Sequence, residues 1–262
     1  MARQKSNIQF EGSLGGLIFY KHPHDGYLAR EKSGPNSSAV LNSERFQRTR
    51  ENAQEFKQAI EGGRTIRNSL KQILRSVADG KLSSRMNRVM LELVQSDKVS
   101  QRGERKAALG DIKLLSGWEF NRDMRFENIC SAAYSVSLNS PMEVIVNLPE
   151  IIVKKHLQIP DIAQYFRIVS GVAMPDFNSM TCVSDIRMED LLACNESNAQ
   201  QFEFRHSIKP GGKFLVALGV IFYSVPENIP KDAISMRKRY SMVKENGYAA
   251  YTGALKVVMA EG

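Results

Sequence analysis

The residues that could most readily bind a metal ion stand in a short turn near the N-terminus. His22 and His24 have the H-x-H spacing that presents two imidazoles to one metal, and Asp25 follows as a third potential ligand. The two other histidines of the chain lie far away in the sequence. Pro23 and the Asp-Gly pair after His24 already explain this segment as a turn. We therefore predict no metal site and no cofactor.

Two glycine-rich segments invite comparison with phosphate-binding loops. Residues 12–16 read Gly-Ser-Leu-Gly-Gly, and residues 209–213 read Lys-Pro-Gly-Gly-Lys. Neither contains the GxxxxGK[ST] or GxGxxG pattern, in which glycines let the backbone approach a phosphate. We predict a bend, a bulge or a close backbone approach within a strand at the first segment and a turn before a strand at the second.

No short motif of a known catalytic class occurs in the chain. The GxSxG, HExxH, protein-kinase and zinc-deaminase patterns are absent. Serine, histidine and acidic residues occur without a spacing that unites them, although a triad can assemble from distant residues. Cys130, Cys182 and Cys194 form no CxxC pair, which is typical of small buried side chains in a reducing compartment. We therefore expect no catalytic residue and no enzyme.

The positive charge of the chain is concentrated in its N-terminal half. Residues 1–118 contain 21 Lys and Arg against 12 Asp and Glu, whereas residues 119–262 contain 15 against 16. Such an excess indicates a surface for polyanions or partner proteins, or else a solvated helical face. No helix-turn-helix, zinc-finger or RNA-stacking signature accompanies it. The strongest basic feature is the set of ten arginines within residues 35–121, which are Arg45, Arg48, Arg50, Arg64, Arg67, Arg75, Arg85, Arg88, Arg102 and Arg105.

The first element that must position these residues is a β-hairpin. Residues 8–21 and 27–32 are rich in β-branched and aromatic side chains and flank a turn at residues 22–26. A cluster of Ser, Gly, Pro and Asn at residues 33–38 ends this segment. A two-stranded hairpin is only marginally stable alone. We therefore expect it to dock on the rest of the chain or on another copy.

Three amphipathic helices are predicted after the hairpin. The first begins near Asn42 or Ser43 and is expected to end at Gly62-Gly63. The second covers about residues 64–78 and the third about residues 82–95, each with one apolar face. Short connections between them favour a small helical bundle.

Residues 110–121 contain five large apolar side chains, among them the only tryptophan, Trp118. An aromatic residue of this size is more often a core anchor than a ligand platform. We interpret the segment as the junction at which the helical region docks on the C-terminal part of the chain.

From residue 124 onward the apolar period changes to two. Seven segments separated by turn signals have the pattern of strands. They cover residues 134–138, 142–146, 163–173, 180–188, 202–208, 214–224 and 249–259. The run at 214–224 is strongly apolar, as expected for a central strand that is buried on both faces.

These patterns predict an α+β fold in three parts. Residues 1–34 form a β-hairpin arm and residues 35–121 a basic helical region. Residues 122–262 form an antiparallel β-sandwich, immunoglobulin-like or similar.

Two groups of motifs resemble an uncharacterised family of bacterial proteins. The first comprises residues 12–21 (GxxGxxxFYK), 25–32 (DGYxxREK) and 46–56 (FQRTRENxxEF). The second is residues 115–121, LxGWEFN, which is similar to that family's LxG[FW]EFN. The family has no established activity. The resemblance therefore implies an architecture and transfers no catalytic or binding residue.

We expect a non-enzymatic structural or assembly protein. It would self-associate, or dock a protein partner, through the hairpin and the Arg-rich helices, because exposed strands offer backbone hydrogen bonds to a partner. The expected interface residues are Phe10, Leu17, Phe19, Tyr20, Tyr27, Arg30, Phe46, Arg48, Arg50 and Phe56.

Two alternatives stay open beside assembly. The Arg-rich helices could bind nucleic acid electrostatically, and the sandwich could bind a carbohydrate or a protein. No apolar run reaches the roughly 18–20 residues of a membrane span, and no apolar segment of a secretory signal comes after the basic N-terminus. We therefore expect a cytoplasmic protein without a membrane span.

Overall fold

The computed structural model describes residues 2–5, 8–225, 244–245 and 248–261. It divides the chain into two compact units, Met1–Arg50 and Glu51–Gly262. The sequence predicted boundaries after residues 34 and 121 instead. The difference arises because helices from residues 51–121 share one hydrophobic core with strands of the C-terminal region.

The N-terminal unit contains a four-stranded antiparallel sheet. Its strands are β1 (Ala2–Arg3), β2 (Gly12–Leu14), β3 (Leu17–His22) and β4 (Gly26–Glu31), in the order β1-β4-β3-β2. The predicted hairpin is present as β3 and β4, but the sheet has four strands rather than the two that the sequence predicted, because β1 and β2 pair with its edges. A tight turn at Gly15-Gly16 joins β2 to β3, and its φ values of 55° and 83° suit a two-residue hairpin loop.

Four helices come after this sheet in the chain. They are α1 (Ser37–Asn42), α2 (Gln47–Ser69), α3 (Lys71–Val77) and α4 (Leu82–Gln95), and a 3-10 turn, Glu44–Phe46, precedes α2. The bounds predicted for the third amphipathic helix are confirmed by α4. Among the described residues, no helix is both long enough and apolar enough to cross a membrane.

The predicted end of the first amphipathic helix at Gly62-Gly63 is wrong, because both glycines lie inside α2. A Cβ atom on Gly62 would lie 2.8 Å from Cε of Met90, and one on Gly63 would lie 3.0 Å from Cγ of Met86. The two glycines therefore allow α4 to pack closely against α2. Their role is close approach rather than helix termination.

The remainder of the large unit forms two antiparallel sheets, as predicted. The large sheet has the order β12-β13-β11-β7-β8, with β9 also paired to β7, and the small sheet has the order β10-β6-β5. The strands are β5 (Ser135–Ser140), β6 (Glu143–Ile151), β7 (Tyr165–Asp176), β8 (Thr181–Met188), β9 (Leu192–Ala193), β10 (Gln200–Ser207), β11 (Phe214–Ser224), β12 (Lys244–Glu245) and β13 (Tyr248–Glu261). Two short helices, α5 (Phe126–Ile129) and α6 (Val153–His156), lie before β5 and after β6. The strands predicted from the period of two are all present.

The large sheet is buried on both faces. All 11 residues of β11 are buried, and successive side chains point to opposite sides. One alternate set, represented by Leu215 and Ile221, packs with α2, α3 and α4. The other set, represented by Val216 and Val220, packs with the small sheet. Helices, large sheet and small sheet thus form three layers, and an immunoglobulin-like sandwich is not confirmed because helices cover one face of the large sheet.

The junction predicted at residues 110–121 is confirmed, and it runs along β13. Gly117 N donates to the carbonyl of Val257 at 2.8 Å, and Phe120 N donates to the carbonyl of Leu255 at 2.9 Å. The side-chain amide of Asn121 donates to the carbonyl of Gly253 at 2.9 Å. The LxGWEFN motif therefore adds a short bridged segment to the edge of β13.

Arg85 of α4 fastens the same segment to the helices. Its guanidinium donates to the carbonyls of Glu119 and Phe120 at 2.8 and 3.0 Å. It also pairs with Asp79 at 2.5 Å and lies 5.0 Å from the ring centre of Trp118. One arginine thus connects the helical layer to the chain segment that pairs with β13.

Candidate interaction surface

One face of the N-terminal sheet presents apolar side chains to solvent. Residues directly opposite each other on antiparallel strands share a face, whereas successive residues of one strand alternate between faces. Six residues of β3 and β4 therefore share a face, which we name the Phe19 face. Its cross-strand pairs are Leu17 with Glu31, Phe19 with Ala29, and Lys21 with Tyr27. Leu14 of β2 also belongs to it, since it pairs with Leu17.

Phe10 extends the Phe19 face although it lies outside the strands. Gln4 holds its backbone in two ways: Oε1 accepts from Phe10 N at 2.8 Å, and Nε2 donates to the Phe10 carbonyl at 3.2 Å. The same Nε2 donates to the carbonyl of Leu28 at 3.2 Å. The ring centre of Phe10 then lies 5.9 Å from that of Phe19. An aromatic side chain is thus positioned before any partner binds, which lowers the entropic cost of binding.

The apolar side chains around Phe19 are open to solvent. Leu14 is 71% exposed, Phe10 55% and Leu17 39%. Among the described residues of Met1–Arg50, Leu28 is the only buried one, and it lies on the opposite face of the sheet. The unit therefore covers little of its own apolar surface.

The opposite face, which we name the Tyr20 face, contains Ile18, Tyr20, Leu28 and Arg30. The guanidinium of Arg30 lies 5.7 Å from the ring centre of Tyr20. The expected interface residues of the hairpin are thus divided between two faces. Phe10, Leu17, Phe19 and Tyr27 lie together on the Phe19 face, and Tyr20 and Arg30 lie on the other.

The expected interface residues of the helical segments lie in other elements than the strands of the Phe19 face. Phe46 is half-buried in the 3-10 turn before α2, and its ring centre lies 5.4 Å from the guanidinium of Arg45. Arg48 is exposed near the start of α2. Phe56 lies further along α2, in the large unit, and is 46% exposed. The sequence could not separate these groups, because its first group of motifs, between residues 12 and 56, spans both units.

Several arginines of the basic region have intramolecular partners. Arg50 donates to two backbone carbonyls of the segment before α2, both at 2.8 Å. Arg102 and Arg105 lie 3.7 and 3.8 Å from two glutamates of α2. Together with Arg85, these arginines stabilise the fold. Arg88 of α4 differs, since its side chain is 86% exposed and pairs with Glu92 of the same helix at 3.5 Å.

The FQRTRENxxEF motif anchors a loop on α2. Glu55 is 1% exposed, and its Oε1 accepts a hydrogen bond from Gly103 N at 2.9 Å. The loop is also ordered from within by Asp97, which accepts hydrogen bonds from three loop amides. Burial raises the pKa of Asp97, but these hydrogen bonds outweigh it and hold the pKa well below its usual value. The polar residues of this motif act within the fold.

Ser170, His206 and Asp185 come together although no sequence spacing unites them. Ser170 Oγ lies 2.9 Å from His206 Nε2, and His206 Nδ1 lies 3.3 Å from Asp185 Oδ2. These contacts follow the order of a hydrolytic triad. However, Ser170 and His206 are 0% exposed, and Ser170 also donates to the carbonyl of Ala217. A nucleophile must be reached by its substrate, so the geometry describes a buried polar connection between the two sheets.

In the turn after β3, His22 and Asp25 contact each other. Asp25 N donates to His22 Nδ1 at 3.2 Å, and the Asp25 carboxylate approaches the same nitrogen to 2.7 Å. The ring centres of His22 and His24 are 6.1 Å apart. In the part of the chain that the structure describes, no group of three His, Cys, Asp or Glu side chains could hold a metal ion.

The three cysteines form no disulfide with one another. Cys130 and Cys194 are buried, and Cys182 is half-buried. Burial raises the pKa of Cys194 to about 11, so this thiol stays protonated near neutral pH.

Leu14 is the exposed apolar residue of the Phe19 face that sequence reasoning missed. The available signal was the Leu14-Gly15-Gly16-Leu17 string, because two glycines between apolar residues indicate a two-residue hairpin loop. Our prediction that these glycines lie within a strand is wrong, since both occupy the turn between β2 and β3. That turn places Leu14 directly opposite Leu17.

Comparison of the chain with protein families, with curated proteins and with solved structures finds no match. The resemblance to an uncharacterised bacterial family therefore stays a prediction.

Proposed function

We propose that this chain is a non-enzymatic, cytoplasmic assembly protein that associates through the Phe19 face of its N-terminal sheet. The observation that carries this proposal is the contrast between a complete four-stranded sheet and the single buried residue among its described positions, Leu28. Exposed and prepositioned aromatic and aliphatic side chains are what a protein interface uses as anchors.

The energetics of the sheet support the same proposal. Ordering each residue costs roughly 1–2 kcal/mol in backbone entropy, whereas fully burying one leucine contributes about 1.5–3 kcal/mol. Sheets of this size need an apolar face packed against another surface to be stable. Coverage of Leu14, Leu17 and Phe10 would supply that packing, because all three have apolar surface left to bury.

The electrostatic alternative has less support. Arg50, Arg85, Arg102 and Arg105 have intramolecular partners, so their charges are not available as an open basic stripe. Binding to nucleic acid requires such charges to meet phosphates.

The carbohydrate-binding alternative also has less support. Its expected mark is an aromatic cluster on one exposed face. Of the described aromatic side chains in the large unit, Phe56 alone is exposed, and it lies on a helix. A single ring on α2 does not make a stacking platform on either sheet.

The proposal is tested by hydrogen exchange on the full-length chain and a Leu14→Glu/Leu17→Glu double variant. If a partner surface covers the Phe19 face, the amides of β3 and β4 are protected in the wild-type assembly. They lose protection on dilution and in the double variant, whose charged side chains resist burial. Val99→Glu is the matched control, since Val99 is 84% exposed in the large unit.

The contrary result would be strands β3 and β4 that are as strongly protected as β11 in a dilute monomer. Such a sheet would be stable without any covering surface. Equal protection in the wild type and the double variant would also contradict the proposal.

A further inference from the structure

The two charges of the Phe19 face stand at opposite ends of an apolar row. Glu31 lies at one end and Lys21 at the other, and the Phe19–Ala29 pair lies between them. Both charged side chains are exposed, and the Lys21 ammonium lies 5.4 Å from the ring centre of Tyr27. The face is therefore negative at one end, apolar in the middle and positive at the other end.

This arrangement is complementary to itself under a two-fold rotation. An axis that crosses the strands at the level of Phe19 and Ala29 exchanges the two ends of the face. When two copies are laid face to face about this axis, Lys21 of each copy meets Glu31 of the other. An isologous interface requires this kind of self-complementary surface. The alternative alignment, with parallel strands, would place Lys21 against Lys21 and is opposed by repulsion.

We propose that the Phe19 face binds the Phe19 face of a second copy of this chain, with the strands antiparallel across a two-fold axis. This inference rests on the proposed function and names its partner. Phe10, Leu14 and Leu17 provide the apolar contact area. Lys21 and Glu31 fix the orientation, because charges around an apolar centre contribute more to specificity than to affinity.

Charge reversal in the full-length chain tests the arrangement. Lys21→Glu places two glutamates together at both symmetry-related positions, and Glu31→Lys places two lysines together. Each single variant is expected to raise the dissociation constant of the dimer roughly tenfold or more, measured by sedimentation equilibrium. Lys57→Glu is the control, since it makes the same charge change at an exposed position on α2.

Mixing the variants distinguishes a lost charge pair from a failure to fold. In the proposed antiparallel heterodimer of Lys21→Glu with Glu31→Lys, opposite charges meet at both positions. The glutamate at position 21 of one copy faces the lysine at position 31 of the other, and the native Glu31 and Lys21 face each other at the second position. With parallel strands the wild type would already place like charges together, so the single variants would not weaken its dimer. An equimolar mixture is therefore expected to recover the wild-type dissociation constant, although each variant alone does not. A chain that merely fails to fold could not be rescued in this way. The double variant Lys21→Glu/Glu31→Lys is expected to dimerise with itself for the same reason.

Three outcomes would overturn the two-fold arrangement. They are a wild-type chain that sediments as a monomer at every concentration, a mixture that stays dissociated, and charge variants that leave the mass unchanged. If Leu14→Glu/Leu17→Glu dissociates an assembly that the charge variants leave intact, the proposed function stands and only the arrangement is wrong. If none of these variants changes the mass or the amide protection, both proposals are wrong.

Discussion

The N-terminal sheet and the large sheet are both antiparallel, but they differ in what covers them. Every residue of β11 is buried, because helices lie on one side of the large sheet and the small sheet on the other. In the described part of Met1–Arg50, Leu28 alone is buried. Strand pairing depends on turns and local register, whereas stability depends on burial of the faces. Within the described residues, the large sheet has both strand pairing and covered faces, whereas the N-terminal sheet has strand pairing without covered faces.

The largest expected effect comes from removing one aromatic side chain from each sheet. Phe222→Ala in β11 leaves a cavity in a fully packed core and should lower the free energy of unfolding by about 3–5 kcal/mol. Phe19→Ala should change the stability of the large unit by less than about 0.5 kcal/mol, because Phe19 lies in the other unit. Urea unfolding followed by Trp118 fluorescence measures both.

Trp118 suits this measurement because it is the only tryptophan and packs against the core of the large unit. A Phe19→Ala variant that shifted the Trp118 transition as far as Phe222→Ala does would show that the two units unfold as one. The contrast drawn between the two sheets would then be wrong.

The next largest expected effect is a difference in stability between alanine variants of two arginines that lie over aromatic rings. Arg85 has a side chain that is 21% exposed, and it is paired with Asp79, which is 7% exposed. Arg85→Ala removes the donor to two carbonyls and the positive charge that pairs with the buried carboxylate of Asp79. We therefore expect a loss of about 2–4 kcal/mol. Arg30 lies over Tyr20 on an open sheet, and Arg30→Ala should cost about 0.5 kcal/mol.

Thermal unfolding of the two variants checks this order. Arg88→Ala is the control on α4, because Arg88 is 86% exposed and its pair with Glu92 is a surface ion pair. Equal losses for Arg85→Ala and Arg88→Ala would mean that the contacts of Arg85 with the junction contribute little.

The sequence predicted the large sheet better than the N-terminal one, and the difference has a physical cause. The run at residues 214–224 and the helix at residues 82–95 were predicted with their bounds. Burial requires apolar residues along the whole strand and along one face of the helix, so both ends are visible in the sequence. The N-terminal strands are short and exposed, so the bounds of β2 and β3 depend on the Gly15-Gly16 turn rather than on a pattern of apolar residues. Their side-chain pattern did not show which face would be open.

Contacts that join distant segments could not be predicted at all. Ser170, Asp185 and His206 lie on three strands of two sheets, and nothing in their spacing indicates that these strands converge. The prediction at Gly62-Gly63 was wrong for the same reason, since the need for small residues arises from Met86 and Met90 on another helix. A glycine inside a helix has the same local signal whether it ends the helix or permits close packing.

Substitutions of one glycine in each unit should differ in the cause of the stability that they lose. At Gly110 a Cβ atom would lie 2.1 Å from the carbonyl oxygen of Leu93, so Gly110→Ala should cost about 1–3 kcal/mol through overpacking. At Gly15 nothing lies within 4 Å, but φ is 55°, so Gly15→Ala should cost about 1 kcal/mol through backbone strain. Chemical unfolding of Gly110→Ala and hydrogen exchange of β3 in Gly15→Ala would measure the two losses.

Asparagine variants separate overpacking from backbone strain, because asparagine tolerates the left-handed conformation. Gly15→Asn should restore the protection of β3, whereas Gly110→Asn should be at least as unstable as Gly110→Ala. Gly80→Ala is the neutral control, since a Cβ atom there meets nothing within 4 Å. Failure of Gly15→Asn to recover would mean that the Gly15-Gly16 turn does not set the register of β2.

The smallest expected effect is a dependence on pH that belongs to the large unit. Burial lowers the pKa of His206 below its usual value, although Asp185 acts in the opposite direction and Arg187 in the same one. The other side chains that face His206 are the hydroxyl of Ser170, the ring of Phe204 and the apolar Val144 of β6. Of these described neighbours, the partly exposed Asp185 alone could compensate a buried positive charge.

The sign of the effect depends on proton binding. The unfolded chain takes up a proton at His206 near a pKa of about 6.5, and the folded chain does so only at lower pH. The contribution of neutral His206 to stability is therefore complete above about pH 6.5 and is lost as the pH falls towards the folded pKa, by at most about 1.4 kcal/mol for each pH unit. His206→Gln cannot be protonated, so its loss of stability between about pH 7.5 and about pH 5.5 should be smaller than that of the wild type. Urea unfolding at both pH values measures the two slopes, and equal slopes would show that His206 does not connect the sheets in its neutral form.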